Sequence, residues 1–594
     1  MTPSTTAELT RVDARTWTAT GAGPLEFGFP PGPVFLLDGD HVLPGGGTGR
    51  DRCWVLPAAA GTAWLISADG EISAEQGHVR VHAGTATLVE HRARPHADVT
   101  GAEFTLDFPG ADELADAFAG FYWGTMLPSV VERTLAADYP DSEGYVLSTL
   151  ADKYAGTYPD VDHEFQVKGR IAAGSTLDLA VVRRMIELQL RMMREDPQQL
   201  WRDPCAVQPD GTREYHVRRN SRDGRENAVM FLVTGNVEVI ESIWLYVARS
   251  KDLDWLRAHI DDIEGAASCV EDCMDPLGRL WSDVYYEDQV IKDGRETMAA
   301  SLAAHSFELL ASLEALLGRD GSRWLTLAEK LTAAIAQPLP VGYWDPEHNR
   351  FVDWVDRSAV VHDHVHLLAN VLPVLFGQAD VDQARDVLAL VERELDEFQR
   401  FPTFLAARIA DYTDSEIGDG GPYDLCAAGR YWCWDAAFWS WRRNGRMLFD
   451  QLTTVARQGA AEDYVMGERY DMNHVYYTDG TPWHGAAHYY EYPCVFTWVL
   501  FCEFLGVRPS LDADLAVAPR LVSPGTVTLP QDAYQLHYAY RPDGFTLQNL
   551  ASTPRTFALD LRALFPAEPR TVELGPGETL TVAREDRLPR RTPR

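Results

Sequence analysis

The stretch VMGERYDMNHVYYTDGTPWHGAAHYYEYP, from Val465 to Pro493, decides how the rest of the chain is read. A carboxylate, Glu468, stands beside Arg469 and is followed by a dense run of aromatic rings and histidines. An apolar segment, 495–505, comes next and closes on Gly506, as a helix does. The charged and aromatic residues therefore precede a helix, on loops above a helical scaffold, where chemistry is usually placed. A single Glu–Arg pair is more often a surface ion pair, and clustered rings are more often core. What lifts this segment above that reading is the company it keeps.

Working upstream, helical periodicity runs for roughly 330 residues. The pattern predicts helices over 177–194, 237–249, 253–273, 297–317, 323–336, 359–376, 381–398, 404–411, 436–454 and 495–505. Several carry Asp at the start or Gly at the end, as capping requires. Longer segments rich in Trp, Tyr, Asp and Glu lie between alternate helices. That alternation predicts helical hairpins with short loops on one side and long ones on the other, an (α/α)6 toroid with a pit at the long-loop end. No solenoid repeat is present.

The flanks read as β-structure. Before residue 110, short β-branched runs alternate with Pro/Gly clusters, and Asp38–Gly39 and Asp69–Gly70 suggest hairpin turns. Past residue 505, the segments 526–529, 535–540, 545–550 and 571–582 alternate in the strand manner, with Pro542-Asp543-Gly544 as a turn. The expected plan is a mainly α chain: an N-terminal β-sandwich (1–110), a linker region (111–175), the barrel (176–514), a small C-terminal β-domain (515–585) and a basic tail (586–594).

The 594 residues carry a formal net charge of −35, which argues against nucleic acid and against an anionic membrane surface as partners. The first sixteen residues lack an apolar core, and no run of 18 apolar residues occurs, so the expected location is the cytoplasm. Eight scattered cysteines fit reduced core thiols better than disulfides or zinc ligands, Cys269 and Cys273 included. Five lysines (Lys153, Lys168, Lys251, Lys292 and Lys330) leave few candidates for a phosphate loop or Schiff base, and no Walker pattern appears. The sequence leaves the oligomeric state open.

Four loop segments concentrate the residues that could carry chemistry. The first holds Trp281, Asp283, Tyr286, Glu287, Asp288, Asp293 and Arg295; the second runs from Tyr343 to Trp354. The third, from Gly429 to Asp435, contributes Trp432, Trp434 and Asp435. The opening stretch adds Glu468, Arg469, Trp483 and His488. Sugars call for this makeup, since pyranose faces stack on Trp and Tyr while hydroxyls bond to Asp, Glu, Arg and His. Glycosidic hydrolysis needs two carboxyl groups, an acid for the leaving oxygen and a base or nucleophile opposite. Alternate spacing sends some of the rings to the core: Trp439 and Trp441 to packing, with Trp432 and Trp434 each as open to the pit as to the core.

Two further clusters carry side chains of metal-ligand type. His362, His364 and His366 lack the glutamate of a zinc helix, so polar or capping roles are expected. The acidic loop Asp411, Asp414, Glu416 and Asp419 lacks the twelve-residue calcium pattern; solvation or sugar-hydroxyl contacts compete there with calcium. No cofactor and no metal are expected.

GERYD (467–471), then AHYYEYP (487–493) and a helix ending in LGVRP (505–509), resembles the catalytic region of the α-L-rhamnosidases, glycoside hydrolase family 78. The segment from Trp281 to Asp288 resembles the family's acid segment, and Asp288-Gln289-Val290 with the helix to Gly318 fits its DQ…A…A…LG run. The chain departs at Gly467 and Tyr470, where the family has tryptophan, and at Ala487, where it has asparagine. The resemblance covers roughly residues 230 to 515. It implies a six-hairpin (α/α)6 barrel and an inverting exo-glycosidase with Glu287 as acid, Glu468 as base and Asp283 and Asp288 beside them. Trp281, Tyr286, Asp293, Arg295, Trp432, Trp434, Asp435, Arg469, Trp483 and His488 are then expected to hold a small glycoside or oligosaccharide. Related enzymes take other sugars, and some are phosphorylases. The alternatives are thus phosphorolysis in the same fold, or a carbohydrate-binding protein without chemistry.

Overall fold

The helices sort into two kinds by what they bury. Every residue of α2 (His163–Ala173) and of α12 (Glu491–Trp498) is buried. By contrast α9 (Val381–Arg393) buries only the stripe Gln383, Val387, Leu390 and Val391, as an outer helix with one solvated face does. The computed structural model describes the chain except residues 1, 4–6, 14–15, 30–33, 39–40, 43–47, 50–51, 56–62, 76–77, 92–103, 127–157, 160–162, 208–212, 216, 219–227, 230–232, 282–289, 291, 400–404, 418–424, 471–488 and 585–594.

The remaining helices are α1 (Ala111–Phe121), α3 (Thr176–Arg194), α4 (Val233–Ser250), α5 (Leu253–Glu271), α6 (Thr297–Leu316), α7 (Ser322–Ala336), α8 (Leu367–Leu375), α10 (Gly429–Trp441) and α11 (Gly445–Ala461). α2, α4, α6, α8, α10 and α12 pack each on the next, and α12 closes back on α2. The others lie outside this ring: α3 against α2 and α4, α5 against α4 and α6, α7 on α6, α9 on α8, α11 on α10 and α12, and α1 on α11 and α12. Two helices of this assembly, α1 and α2, lie N-terminal to residue 176. Gly169 lets α2 meet α12 closely, since a Cβ there would stand 2.6 Å from the Cα of Cys494.

Each ring helix but α12 passes to its outer partner through a short connection, and several of these carry caps. Ser175 accepts from the Asp178 N–H, Asp252 from Trp255 and Asn444 from Met447, while Asp380 and Gln383 form a capping box. The returns from outer to ring helix are long (195–232, 272–296, 337–366, 394–428 and 462–490), so every long loop meets the N-terminal end of a ring helix.

Several sequence expectations are corrected here. The predicted helix 359–376 begins only at Leu367, because Val361–His362 is a strand paired with Trp354–Asp356. The predicted helix 404–411 is, among its described residues, a 3-10 turn, Ile409–Asp411. The run 436–454 is two helices, broken where Arg443 adopts a left-handed φ of 58° and Asn444 starts α11. The last helix starts at Glu491 and widens into a π-helix over Val499–Phe504.

On the N-terminal side, two antiparallel sheets share one core that includes Leu25, Phe27 and Val79 from one face and Cys53, Ile66 and Leu88 from the other. Asp38 pairs with His41, as the first hairpin signal predicts. Asp69–Gly70 instead carries the chain from Ala63–Ser67 in one sheet to Ile72–Glu75 in the other. At the C-terminal side, Leu536–Arg541 and Gly544–Asn549 form the expected hairpin around Pro542 and Asp543. The run 571–582 splits into Arg570–Leu574 and Thr579–Ala583, which belong to different sheets. Thr105–Asp107 adds an edge strand to this region by pairing with Gly525–Leu529. Cys53, Cys269, Cys426, Cys433, Cys494 and Cys502 are buried free thiols. No helix among the described residues is long and apolar enough to cross a membrane.

Candidate active site

The long-loop end of the ring is where α10 and α12 begin side by side. Just before α10, the strand Ala427–Ala428 pairs antiparallel with Arg469–Tyr470, so the Gly467-Glu468-Arg469 turn is drawn to the start of both helices. That turn is pinned at several points. Tyr470 donates its hydroxyl to Glu462 at 2.6 Å and accepts the Gly467 N–H at 2.9 Å. Its ring meets Tyr492 edge-on, and the Tyr489 N–H donates to the Met466 carbonyl.

Four charged side chains converge here. Arg430, the second residue of α10, donates to Glu491 Oε1 at 2.6 Å, and its backbone N–H donates to Glu491 Oε2 at 3.1 Å. Glu468 Oε1 faces two guanidiniums, 3.8 Å from Arg430 Nη2 and 3.5 Å from Arg469 Nε. Arg469 in turn stands 5.5 Å over the Tyr431 ring. Two carboxylates and two guanidiniums thus balance in a buried place, where an unpaired charge would be costly. Gly429 permits the approach, because a Cβ there would lie 2.8 Å from the Glu491 Cβ. Glu491 is fully enclosed, whereas Glu468 keeps 6% exposure. That difference leaves Glu468 the carboxylate with access and makes Glu491 an anchor.

A second polar group ties three successive long loops together. Lys292 bridges Glu296 at 2.6 Å and Asp353 at 2.9 Å, and Asp353 also accepts from the Tyr412 hydroxyl. Glu296 caps α6 by accepting from the Ala299 N–H. Trp354 stacks on His362 and His364, with centroids 4.0 and 5.2 Å apart. Both histidines reach Glu416, at 2.5 Å from Nδ1 of His362 and 3.1 Å from Nε2 of His364. Burial pushes the Glu416 carboxyl up, but the Thr413 N–H, His362, the Thr413 hydroxyl and His364 outweigh it and hold the pKa at about 2. His366 has the capping role, accepting the Ala369 N–H at the start of α8. The three histidines lie on extended backbone and share no helix face. Asp411 in the acidic loop is taken by Arg408 and the Val365 N–H.

The expected site residues separate accordingly. Glu468 and Arg469 come together. Arg295 does not face a ligand: it is buried and donates to the carbonyls of Pro340, Val341 and Gly342, with its guanidinium over Tyr343. Trp281 donates to Asp275, and Asp293 pairs with Arg357. Trp432 and Asp435 both turn outward to Gln451 of α11, the former donating at 3.0 Å and the latter accepting at 2.8 Å. Burial pushes the Asp435 carboxyl up to about 8, with Gln451 and Trp439 opposing. Trp434 lies on the other side of α10, under the ammonium of Lys168. Trp439 donates to Asp435 and is core, while Trp441 is exposed. Asp283, Tyr286, Glu287, Asp288, Asp419, Trp483 and His488 lie outside the described residues. Sequence reasoning passed over Arg430, although it stands inside the segment singled out for its tryptophans.

Comparison with solved structures bears on this arrangement. A sialidase matches with TM-score 0.50 at 11% identity over 98% of this chain and 60% of its own. The GH78 rhamnosidase of Bacillus sp. GL1 matches with TM-score 0.49 at 12% identity, covering 92% of this chain and 52% of that one. The Streptomyces avermitilis α-L-rhamnosidase matches with TM-score 0.48 at 14% identity, covering 98% and 53%.

The fold of this chain resembles that of the sialidase structure.

The likeness is one of fold alone, and the chain spans about half the length of the two rhamnosidases. No family model and no curated protein matches the sequence.

Proposed function

We propose that the chain is an inverting exo-glycosidase that removes a terminal sugar from a small glycoside or oligosaccharide. The observation that supports this most is Glu468, a buried carboxylate with residual access, set between Arg430 and Arg469 where the long loops converge. Glu468 takes a proton from water as the water oxygen attacks the anomeric carbon. The bond from that carbon to the leaving oxygen breaks, and the leaving oxygen takes a proton from Glu287. The role of Glu287 comes from the sequence resemblance, with Asp283 and Asp288 as its neighbours. Two carboxyl groups doing this work with inversion stand about 6.5–9.5 Å apart, which leaves room for the water.

Phosphorolysis is the less favoured reading. Arg430 and Arg469 face Glu468 and Glu491, so the quartet carries no excess positive charge to hold a phosphate. Turnover of a panel of aryl glycosides, α-L-rhamnoside among them, with and without phosphate, tests the proposal. Phosphate-independent release of the aglycone is the expected result. Strict dependence on phosphate replaces it with phosphorolysis. Tight oligosaccharide binding without turnover replaces it with a binding protein.

A further inference from the structure

At the end of the ring away from the long loops, a cavity of about 860 Å³ opens between the C-terminal halves of the ring helices and the C-terminal β-region. This is the size of a site for a small organic molecule. Six cationic and three acidic side chains line it, in a chain whose formal net charge is −35. A local reversal of sign of this kind concentrates anions.

The charges divide into those held by a protein partner and one left to solvent. Lys168, at the cavity floor, pairs with Glu164 and with Glu241 at 3.0 Å. Arg508 is held by Glu503 and by the Ser440 hydroxyl, Arg562 by Asp560, Arg442 by Glu392, and Arg520 by the carbonyls of Ser440 and Ala518. The Arg443 guanidinium, on the same wall, makes no hydrogen bond or ion pair among the described residues. Trp434 supplies an unmet need of its own. The residue is 5% exposed, and its Nε1–H is buried without an acceptor among the described residues. A buried donor left unmatched costs about 1–3 kcal/mol, which an oxygen from a ligand would recover. Trp244, Trp441 and Trp498 line the same space and offer apolar ring surface.

We propose that this cavity binds a small organic anion built on a sugar ring, a sugar acid or a sugar phosphate. The ring lies among Trp244, Trp441 and Trp498, one oxygen accepts from Trp434 Nε1, and the anionic group meets Arg443. The site lies at the opposite end of the ring from Glu468 and does not depend on the glycosidase reading.

Isothermal titration of the full chain with D-glucuronate, D-glucose 6-phosphate, D-glucose and inorganic phosphate tests this directly. At least one of the two ring anions binds, and which one separates carboxylate from phosphate recognition. Glucose and phosphate alone bind at least about tenfold more weakly, since each lacks one half of the recognition. Arg443→Gln weakens the ring anion about tenfold and Trp434→Phe about fivefold, while Glu468→Gln leaves it unchanged. Binding by neither ring anion overturns the proposal, as does equal affinity for glucose or for phosphate. Full affinity in Arg443→Gln overturns it even if Trp434→Phe does not fold. Loss of binding in Glu468→Gln moves the anion to the other end of the ring and overturns it as well.

Discussion

Arg430 holds both oxygens of Glu491, one through its guanidinium at 2.6 Å and the other through its backbone N–H at 3.1 Å. The contact locks the first turns of two neighbouring ring helices and at the same time sets a positive charge 3.8 Å from Glu468. Arg430→Met leaves Glu491 buried with its main partner gone. The expected cost is about 3–5 kcal/mol of stability, read as a lower midpoint in urea with little change in slope. Removing both charges, as Arg430→Met with Glu491→Leu, recovers much of that loss if the pair is chiefly an anchor.

Glu468→Gln keeps the shape of the turn and removes the base. Turnover is expected to fall by at least about 100-fold on natural and activated substrates alike, and the thermal midpoint falls as well, because two buried guanidiniums then face a single carboxylate. Glu287→Gln is expected to lose more on substrates with poor leaving groups than on activated aryl glycosides, which need little protonation. Proton NMR of fresh product reads the anomer, and inversion is the expected outcome. A retained anomer, or near-normal turnover in Glu468→Gln, ends the assignment.

Asp435 gives the fold a pH dependence of known sign. Its carboxyl, raised to about 8 by burial, is protonated in the folded chain when the unfolded chain would have ionised it near 3.8. The folded state then holds the extra proton, so this contribution is complete below pH about 4 and is lost as pH rises through about 8. Asp435→Asn carries no titration. The stability of the variant relative to the parent is expected to climb across that window by a few kcal/mol, on the order of magnitude such a shift implies. A difference that is flat with pH would place Asp435 in an ordinary solvated setting.

Dialysis against a strong chelator is expected to leave turnover intact, because paired carboxylates perform glycoside hydrolysis unaided. Among the described residues, Asp345, His348 and Asp363 bring ligand atoms within 4.8 Å of one another. Arg350 already engages both oxygens of Asp363, and His348 donates to Asp345. Loss of activity restored by a divalent ion would point to this trio ahead of the histidines, which serve Glu416 and the α8 cap.

The sequence by itself determined the periodic elements and their order. Apolar spacing marks most of the helices, and long aromatic-rich loops alternate with short capped ones. That alternation anticipates a ring with one functional end, because it follows from local chain length and capping. The Glu468–Arg469 pair was legible for the same reason: the two residues are adjacent.

Tertiary structure alone decided what each side of an element meets. Trp432, Trp434 and Asp435 sit within one turn of α10, yet two of them turn to Gln451 and the third to Lys168. All residues of the helix but Ala437 and Trp441 are buried, so no amphipathic stripe in the sequence tells the side of Trp432 and Asp435 from that of Trp434. Arg295 reads as a sugar ligand beside aromatics, but the carbonyls at 340–342 that claim it lie some 45 residues away and meet it only in the fold. The pairing of Arg430 with Glu491 spans 61 residues and rests on the close approach of two helix starts at Gly429. Such a contact has no local signature, because the chain between its partners sets neither their distance nor their direction.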